Sequence, residues 1–370
     1  MTDARTLGDE NLRRCPVSHD GSAWNVWGNA EARLVAEDPE SFSSHVSRHL
    51  NVPNGMDGDE HRRFRAVIDR YLSDDAILPL YPQFESMAQE IYADMGSSFD
   101  ANDFGSLVAV QCQRHWLGWD ASYEQELLNW ITENQNATRS GDRERTAAAA
   151  EHFTDIIHRI VADHEGHNGE DPTCRLMRDT VEENGVRRRL TMAEIVSILR
   201  NWTAGDLGSI ADSIGIVAHY LATHPDLFDT LRGYDASSNT RALDLALDEI
   251  LRIDDPFLSN RRMTTRAVTV AGHDIPEGER VFIHWTAANR DPRAFGYPDA
   301  FNPEGNASRN LVYGTGPHVC PGRTLSTLEL RAALVALLRG GRLEMTGEAW
   351  RKENPVGGYG AVPIGRVGTE

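Results

Sequence analysis

The chain has 370 residues, 40% of which are hydrophobic, and a formal net charge of -19. A chain of this length can bury a large core, and we expect one domain over residues 1–370, with about residues 1–20 a candidate for disorder. The negative charge excludes non-specific nucleic-acid binding, because neutralising phosphates requires an excess of Lys and Arg.

The four cysteines, Cys15, Cys112, Cys174 and Cys320, are far apart in the sequence and form no C-x-x-C pair. This spacing indicates neither a disulfide framework nor a structural zinc site. The first forty residues lack the apolar stretch of a signal peptide, and no later window approaches about 18 uninterrupted apolar residues. We therefore expect a cytoplasmic protein without a signal peptide or membrane anchor.

Amphipathic helices are predicted from about residue 60 to residue 255, where apolar residues recur at three- and four-residue spacing. The longest such pattern covers residues 190–225. It opens with the capping-box pattern of Thr191 and Glu194 and ends before Pro225. We expect one continuous helix here that crosses the middle of the molecule.

Strand patterns begin only after residue 255. The segment VTVAG (268–272), a PEGE turn (276–279) and the segment RVFIHW (280–285) alternate apolar and polar residues as the strands of a hairpin do. The C-terminal GGYGAVPIG (357–365) is typical of strands and turns. The predicted fold class is therefore mainly α with a minor β region.

Only one of the cysteines lies among closely spaced glycines. In the segment YGTGPHVCPGRTLSTLEL (313–330), Gly314, Gly316 and Gly322 flank Cys320, and an apolar helical period follows. Glycines permit close backbone approach, and a helix N-terminus lowers the pKa of a nearby thiol. The pattern favours a metal-binding thiolate, whereas a lone cysteine without it would more often be an inert core residue.

This segment resembles the haem-binding loop of the cytochrome P450 family, F-G-x-G-x-H-x-C-x-G, with Tyr313 in place of the Phe. The resemblance, to the bacterial soluble class of the family, implies a single-domain fold with haem b between the long central helix and the cysteine loop. It implies that Cys320 is the axial ligand of the haem iron. Further haem contacts that it implies come from Tyr313, Gly314, His318, Gly322, Ala204 and Gly205.

A second family motif, E-x-x-R, matches Glu249 and Arg252 in LALDEILRID. Residues three apart on a helix share a face, so the two side chains can form a buried pair that anchors the backbone near the cysteine loop. Most pairs with this spacing are solvated surface ion pairs, and only the position before Cys320 favours the buried role. The family's third partner, an Arg, is replaced here by Asn306 or by a shifted Arg309.

Two further segments resemble the family's cationic contacts to the haem propionates. His61 and Arg65 match H-x-x-x-R and point to the same side of a helix, although a charged exposed helix would show the same spacing. Arg262 occupies the place of the family's strand arginine, with Arg261 as the alternative if the register slips by one residue.

The long helix departs from the family pattern A-G-x-(D/E)-T, whose acid and alcohol deliver protons during oxygen activation. Ala204, Gly205 and Asp206 match the first three positions, but Leu207 replaces the acid and Gly208 replaces the Thr. The expected proton relay is therefore altered.

Three explanations of the altered relay stay open. Asp206 and Ser209, three apart on one helix face, are a candidate displaced acid and hydroxyl, with water in the space left by Gly208. The substrate could instead supply a hydroxyl, or the enzyme could use peroxide and need no relay. Asp206 and Ser209 could equally be ordinary polar residues of a kinked helix.

The resemblance implies a haem-thiolate monooxygenase that oxidises a small organic molecule, with bacterial secondary metabolism as the expected setting. A separate ferredoxin and its reductase are the implied electron donors, and Arg62, Arg63 and Arg323 are candidates for a docking patch. The alternatives are a peroxide-using or non-oxygenating member of the family, or a haem-based sensor. The segment between Phe42 and Asp57 is too short for the family's usual lid over the pocket.

Overall fold

The computed structural model describes residues 2–234 and 238–367, and it confirms a mainly helical fold with a minor β part. The α-helices are α1 Ala4–Leu12, α2 Asn29–Glu37, α3 Gly58–Ile68, α4 Asp74–Ile77, α5 Tyr81–Asp94, α6 Ala101–Leu117, α7 Glu124–Ser140, α8 Arg143–Asp163, α9 Pro172–Arg178, α10 Met192–Ala204, α11 Leu207–Thr223, α12 Pro225–Arg232, α13 Thr240–Ile253, α14 Trp285–Ala288, α15 Pro292–Phe295, α16 Pro303–Asn306 and α17 Arg323–Arg339.

The main hydrophobic core lies between helices α5, α6, α11 and α17. Helix α11 packs along α6, and α17 packs along α5 and also meets α11. Nearly every residue of α17 from Leu325 to Leu338 is buried, which is typical of a helix enclosed on all sides. This bundle supports the cavity that holds the candidate active site.

The predicted continuous helix over residues 190–225 is wrong, because it is interrupted at Gly205 and Asp206. Thr191 and Glu194 form the expected capping box at the start of α10. After Ala204 the backbone N–H of Asp206 bonds to Thr203 O at 3.1 Å, an i to i−3 contact in place of the helical i−4 contact. Glycine weakens a helix interior, so the interruption falls where the sequence supplies one.

The strands are β1 Val17–His19, β2 Trp24–Val26, β3 Phe42–Ser43, β4 Ser98–Asp100, β5 Thr180–Glu183, β6 Val186–Arg189, β7 Ser259–Thr264, β8 Val268–Val270, β9 His273–Ile275, β10 Arg280–His284, β11 Arg342–Met345, β12 Trp350–Arg351, β13 Tyr359–Ala361 and β14 Pro363–Val367. The largest sheet has the order β1-β2-β10-β7-β3. Strands and turns at the C-terminus are as predicted.

The predicted hairpin between residues 268–272 and 280–285 is wrong in its pairing. Strand β8 turns back at Ala271 and Gly272 and pairs with β9, whereas β10 pairs antiparallel with β7 and parallel with β2. Ala271 has φ 49° and Gly272 has φ 80°, values that suit a tight two-residue turn. The turn at Gly278 therefore connects two different sheets.

The first twenty residues, a candidate for disorder, are folded from Ala4 onward. Asp3 caps α1 by accepting the N–H groups of Arg5 and Thr6. The helix lies against α14 and is anchored by Asp9, whose carboxylate accepts two bonds from Arg290 at 2.8 and 2.9 Å. Residues 2–20 therefore belong to the same folded body as the rest.

Candidate active site

A cavity lies between the α10–α11 turn and the cysteine loop, residues 313–322. The volume of this cavity is about 310 Å³. The predicted site residues that line it are Gly205, Asp206, Ser209, Arg262, Tyr313, Gly314, His318, Cys320 and Gly322. Residues that are more than a hundred positions apart in the sequence thus meet around one space.

The cysteine loop is held by its own backbone and by its glycines. The N–H of Cys320 donates to Tyr313 O at 2.9 Å, which closes the loop. Gly314 and Gly316 have φ of 69° and 74°, and a Cβ at Gly316 would lie 2.5 Å from Ala36 O, so only glycine fits there. Helix α17 begins just after Gly322.

Tyr313, which stands where the family has Phe, is half-buried at the start of the cysteine loop. Its hydroxyl lies 3.3 Å from the hydroxyl of Thr327, and the Arg323 guanidinium lies 5.1 Å from the ring centre. Burial raises the Tyr313 pKa, and the nearby Asp248 carboxylate raises it further. Tyr313 is therefore a neutral phenol.

The thiol of Cys320 does not have the lowered pKa that the following helix led us to expect. Burial raises the Cys320 pKa to about 11, and the nearby Asp206 carboxylate adds to the rise. The N–H of Gly322 acts in the opposite direction but is weaker. Because coordination to a metal cation deprotonates a thiol outright, this position suits a thiolate only when a cation is bound.

Three cationic or imidazole groups meet at one side of the cavity. The rings of His61 and His318 lie 4.1 Å apart, and Arg262 is buried nearby. Burial, His61 and Arg262 lower the His318 pKa to about 3. The Nε2 atom of His61 is buried without a hydrogen-bond partner among the described residues. This donor-rich corner fits an acidic group such as a haem propionate.

Of the two candidates for the strand arginine, Arg262 and Arg261, the structure places only Arg262 at the cavity. Arg262 is buried and lines the cavity, whereas Arg261 is exposed. Strand β7 alternates its faces, so a neighbouring residue necessarily points the other way.

Arg65 contacts the cysteine loop directly. Its Nη1 donates to Pro317 O at 3.1 Å and to Val319 O at 3.0 Å, while its Nε donates to Asp69 at 2.7 Å. The side chain therefore ties α3 to the loop. The sequence pattern placed Arg65 next to His61 on α3, but it did not show this bridge.

Glu249 and Arg252 form a buried bidentate ion pair at 2.7 and 2.9 Å. Arg252 also donates to Asn289 O at 2.8 Å. Of the two candidates for a third partner, Asn306 donates to Glu249 at 2.8 Å, whereas Arg309 donates to Gly305 O. The pair thus joins α13 to the segment that leads into the cysteine loop.

On the helix side of the cavity, the structure does not bring the Asp206 carboxylate and the Ser209 hydroxyl together. Ser209 Oγ donates to Gly205 O at 2.7 Å and to Asp206 O at 3.1 Å, so it caps the interrupted helix. Leu207 is fully buried. A Cβ added at Gly208 would meet no atom within 4 Å, which shows open space beside the turn.

The Asp206 carboxylate points into the helical bundle, where sequence reasoning missed its partners. Gln113 donates to it, Ser326 Oγ donates at 3.0 Å, and Glu329 faces it. Burial raises the Asp206 pKa to about 6 and holds the Glu329 pKa far above its ordinary value. In the sequence, the only sign of this cluster is Glu329, a glutamate among the apolar residues of α17.

The short segment before α3 packs on α10 without forming a helix of its own. Asn201 Nδ2 donates to Asn51 Oδ1 at 2.8 Å and to Val52 O at 2.7 Å. Pro53 and Asn54 line the cavity. This segment covers part of the pocket in place of a longer lid.

The mainly helical fold and a cysteine loop that faces a donor-rich cavity are the features of a haem-binding enzyme. The family model for cytochrome P450 matches residues 79–359, and the chain belongs to that family. It is a cytochrome P450 monooxygenase, and the family implies a haem cofactor.

The relatives found by comparison are bacterial enzymes. The chain is 26% identical over 344 residues to the cyclomarin C epoxidase CymV of Salinispora arenicola, covering 88% of this chain and 85% of the relative. It is 27% identical over 345 residues to an erythromycin C-12 hydroxylase of Saccharopolyspora erythraea, covering 89% and 85%.

A solved structure of a mutant of the cytochrome P450 EryK in complex with erythromycin B superimposes with a TM-score of 0.88 at 25% identity, covering 100% of this chain and 98% of the other. None of the helices in the described part of the chain is both long and apolar enough to cross a membrane.

Proposed function

We propose that the cavity binds haem b with Cys320 as the iron ligand, and that the enzyme inserts one atom of O2 into a small organic substrate. The observation that carries this proposal is the Cys320 thiol in the same cavity as the donor-rich corner and the helix break. A thiolate-ligated haem, when bound, supplies the oxygen-activating chemistry. The residues of this chain then hold that group, position the substrate and move protons.

We propose that the haem propionates are bound by the hydrogen-bond donors of His61, Arg262 and His318, at one corner of the cavity. Arg262 and His318 line the cavity, and the buried His61 Nε2 beside His318 lacks a partner, so a propionate oxygen would satisfy a donor that is otherwise buried at a cost. The Nε2 atom of His318 already lies 3.0 Å from Ser44 Oγ. Arg65 acts mainly on the loop, whose carbonyls it already binds. Tyr313, Gly314 and Gly322 shape the loop around Cys320. Gly205 lines the opposite side of the cavity, whereas Ala204 packs against the main core.

Proton transfer is proposed to depend on the open space beside Gly208. A water molecule or a substrate hydroxyl there would adjoin Gly205 and Ser209, which line the cavity. The single proton of the Ser209 hydroxyl is shared between the carbonyls of Gly205 and Asp206, so its oxygen serves as an acceptor that can orient such a group. Asp206 contributes a buried carboxyl behind the helix turn in place of the usual acid.

The substrate is proposed to be a bacterial secondary metabolite. The relatives named as an epoxidase of cyclomarin C and a hydroxylase of erythromycin support this class. The cavity offers apolar contacts from Ile210, Pro256 and Phe257.

Electrons are proposed to come from a separate ferredoxin and its reductase, with the enzyme in the cytoplasm. Arg62 and Arg323 are largely exposed on the cysteine-loop side, although each is paired with an acidic residue, Asp59 and Asp248. With Arg63 they form the candidate docking patch. The alternative oxidant is peroxide, which the missing acid and alcohol at Leu207 and Gly208 favour.

The test begins with a screen of small molecules for the spin-state shift of the haem absorption band, which reports displacement of water from the iron. Ligands that shift the band are then incubated either with ferredoxin, reductase and NADPH, or with hydrogen peroxide alone. Product that requires the reductant supports the proposal. Product with peroxide alone favours the alternative, and gas binding without any turnover would indicate a sensor.

A further inference from the structure

Away from the cavity, three helix ends converge on a small polar cluster. Helix α6 ends at Gly118, α8 is followed by His164, and α9 is preceded by Asp171. Cys174, in the first turn of α9, completes the group and is 2% exposed. One ligand atom each from His164, Asp171 and Cys174 lies within 4.8 Å of the other two.

Both ring nitrogens of His164 lie close to oxygen atoms of the cluster. His164 Nδ1 lies 2.7 Å from Ile160 O, the geometry of an N–H that donates to that carbonyl. Its Nε2 lies 3.2 Å from Gly118 O and 3.9 Å from an Asp171 oxygen. When Nδ1 carries the single proton of a neutral imidazole, the Nε2 lone pair faces two oxygens, and either a second proton on Nε2 or a bound metal cation makes this contact favourable.

The packing holds these acceptors close together. A Cβ at Gly118 would lie 2.5 Å from Asp171 Cβ, and one at Gly169 would lie 2.4 Å from Asp171 Oδ2. Asp171 is fixed further because it accepts the Cys174 N–H at 2.8 Å. The C-terminal ends of α6 and α8 also direct their partial negative charge at this point.

We propose that this cluster is a Zn²⁺ site. The ligands are His164 Nε2, the Cys174 thiolate and an Asp171 oxygen, with water or Gly118 O in the fourth position. A neutral imidazole, a thiolate and a carboxylate are the ligands zinc prefers, and an Nδ1–H bonded to a carbonyl is the usual orientation of a ligating histidine. When Zn²⁺ binds, the Cys174 thiol releases its proton to solvent and no electron is transferred.

The ligands come from separate helix ends, which is why no zinc spacing motif marks them in the sequence. The metal would join the ends of α6 and α8 to the start of α9. This role is independent of the haem site, because no residue of the cluster lines the cavity.

The experiment treats the purified haem-containing protein with a chelator, dialyses it, titrates it with ZnCl₂ and measures zinc per chain. We expect one Zn²⁺ per chain, with at least about tenfold weaker binding in the His164→Gln and Cys174→Ser variants. His167→Gln is the matched control, since His167 is exposed in the same loop and should leave binding unchanged. The carbon monoxide spectrum of each variant reports separately that the haem site is intact.

Zinc X-ray absorption of the unmodified protein gives a second measurement that does not depend on the variants folding. One sulfur ligand at about 2.3 Å and nitrogen or oxygen ligands at about 2.0–2.1 Å are expected. A protein that takes up no Zn²⁺, or a metal shell without sulfur, would overturn the proposal and leave a proton on His164 as the cation. Equal zinc affinity in the folded variants and the control would overturn it as well.

Discussion

The two sides of the cavity differ in how closely they follow the family pattern. On the cysteine side, the loop around Cys320 and the pair of Glu249 and Arg252 match the family motifs and are held by buried bonds. On the helix side, Leu207 and Gly208 replace the acid and the alcohol, and open space lies beside the turn. The groups that would hold the cofactor thus follow the family pattern, whereas the groups that would move protons depart from it.

This difference follows because holding a metal ligand requires more exact positions of the side chains than transferring protons does. A metal ligand and its supporting ion pair must be placed to within a fraction of an ångström, and buried charges tolerate no missing partner. A proton can travel through water, so several arrangements of residues and substrate groups serve. The predictions below test whether the cysteine side is rigid and the helix side adaptable.

The largest effect is expected at Cys320. Cys320→His should abolish the long-wavelength carbon monoxide band after which the family is named, together with monooxygenase activity, because imidazole does not donate electron density as a thiolate does. Absorption spectra of the reduced protein with carbon monoxide measure this. Cys15→Ser, a half-buried cysteine in another part of the molecule, is the control and should keep the band. A band that survives in Cys320→His would disprove the ligand assignment.

Glu249→Gln tests the rigidity of the cysteine side. The change leaves the buried Arg252 charge without its carboxylate, which should lower the free energy of unfolding by about 3–5 kcal/mol. Urea unfolding followed by tryptophan fluorescence measures the loss. The exposed pair of Arg241 and Glu304 supplies the control, since Arg241→Ala should change stability little. If both changes lowered the free energy of unfolding equally, burial would not determine how much an ion pair contributes to stability.

On the cysteine side the motifs are local and their spacing sets their geometry, and the structure places Cys320 at the cavity and buries the pair of Glu249 and Arg252. The roles of these residues toward the haem stay predictions. The sequence was less informative where the outcome depends on packing. The predicted hairpin over residues 268–285 is wrong because the chain already turns back at Ala271 and Gly272. The alternation of apolar and polar residues predicts a strand but does not show which strand it pairs with. The thiol pKa of Cys320 moved opposite to expectation because burial, which a sequence does not show, outweighs the helix N-terminus.

The helix side was predictable only in outline. The sequence predicted one continuous helix, with a kinked helix only as an alternative, whereas the helix is interrupted at Gly205 and Asp206. The partners of Asp206 come from α6 and α17, and such contacts between distant segments leave no spacing signal. The same reason hid the cluster of His164, Asp171 and Cys174.

The Asp206 carboxyl should give the helix side a pH-dependent stability. Its folded pKa is raised from 3.8 to about 6, so the folded state holds the proton more tightly than the unfolded state. The resulting stability is fully present below about pH 4 and is lost as the pH rises through 6, by about 3 kcal/mol in all. Asp206→Asn should remove this slope, as measured by urea unfolding between these pH values.

A change at Ser326 separates the charge of Asp206 from its hydrogen bonds. Ser326→Ala removes a donor that stabilises the carboxylate, so it should keep the pH slope or steepen it. If Asp206→Asn leaves the slope unchanged, another group such as Glu329 carries the titration.

The smallest effect, and the one that addresses the proton route itself, is expected at Gly208. Its backbone is helical and a Cβ there meets no atom within 4 Å, so both Gly208→Ala and Gly208→Thr should fold. Alanine occupies the open space without a hydroxyl and should lower product per reductant consumed by about tenfold, whereas threonine fills the same space and restores a hydroxyl. The coupling, that is, the product formed per reductant consumed, is therefore expected to fall in the alanine variant and to stay unchanged in the threonine variant. Equal coupling in both variants and the parent would show that the space beside Gly208 carries no proton, and that the helix side relies on the substrate or on peroxide.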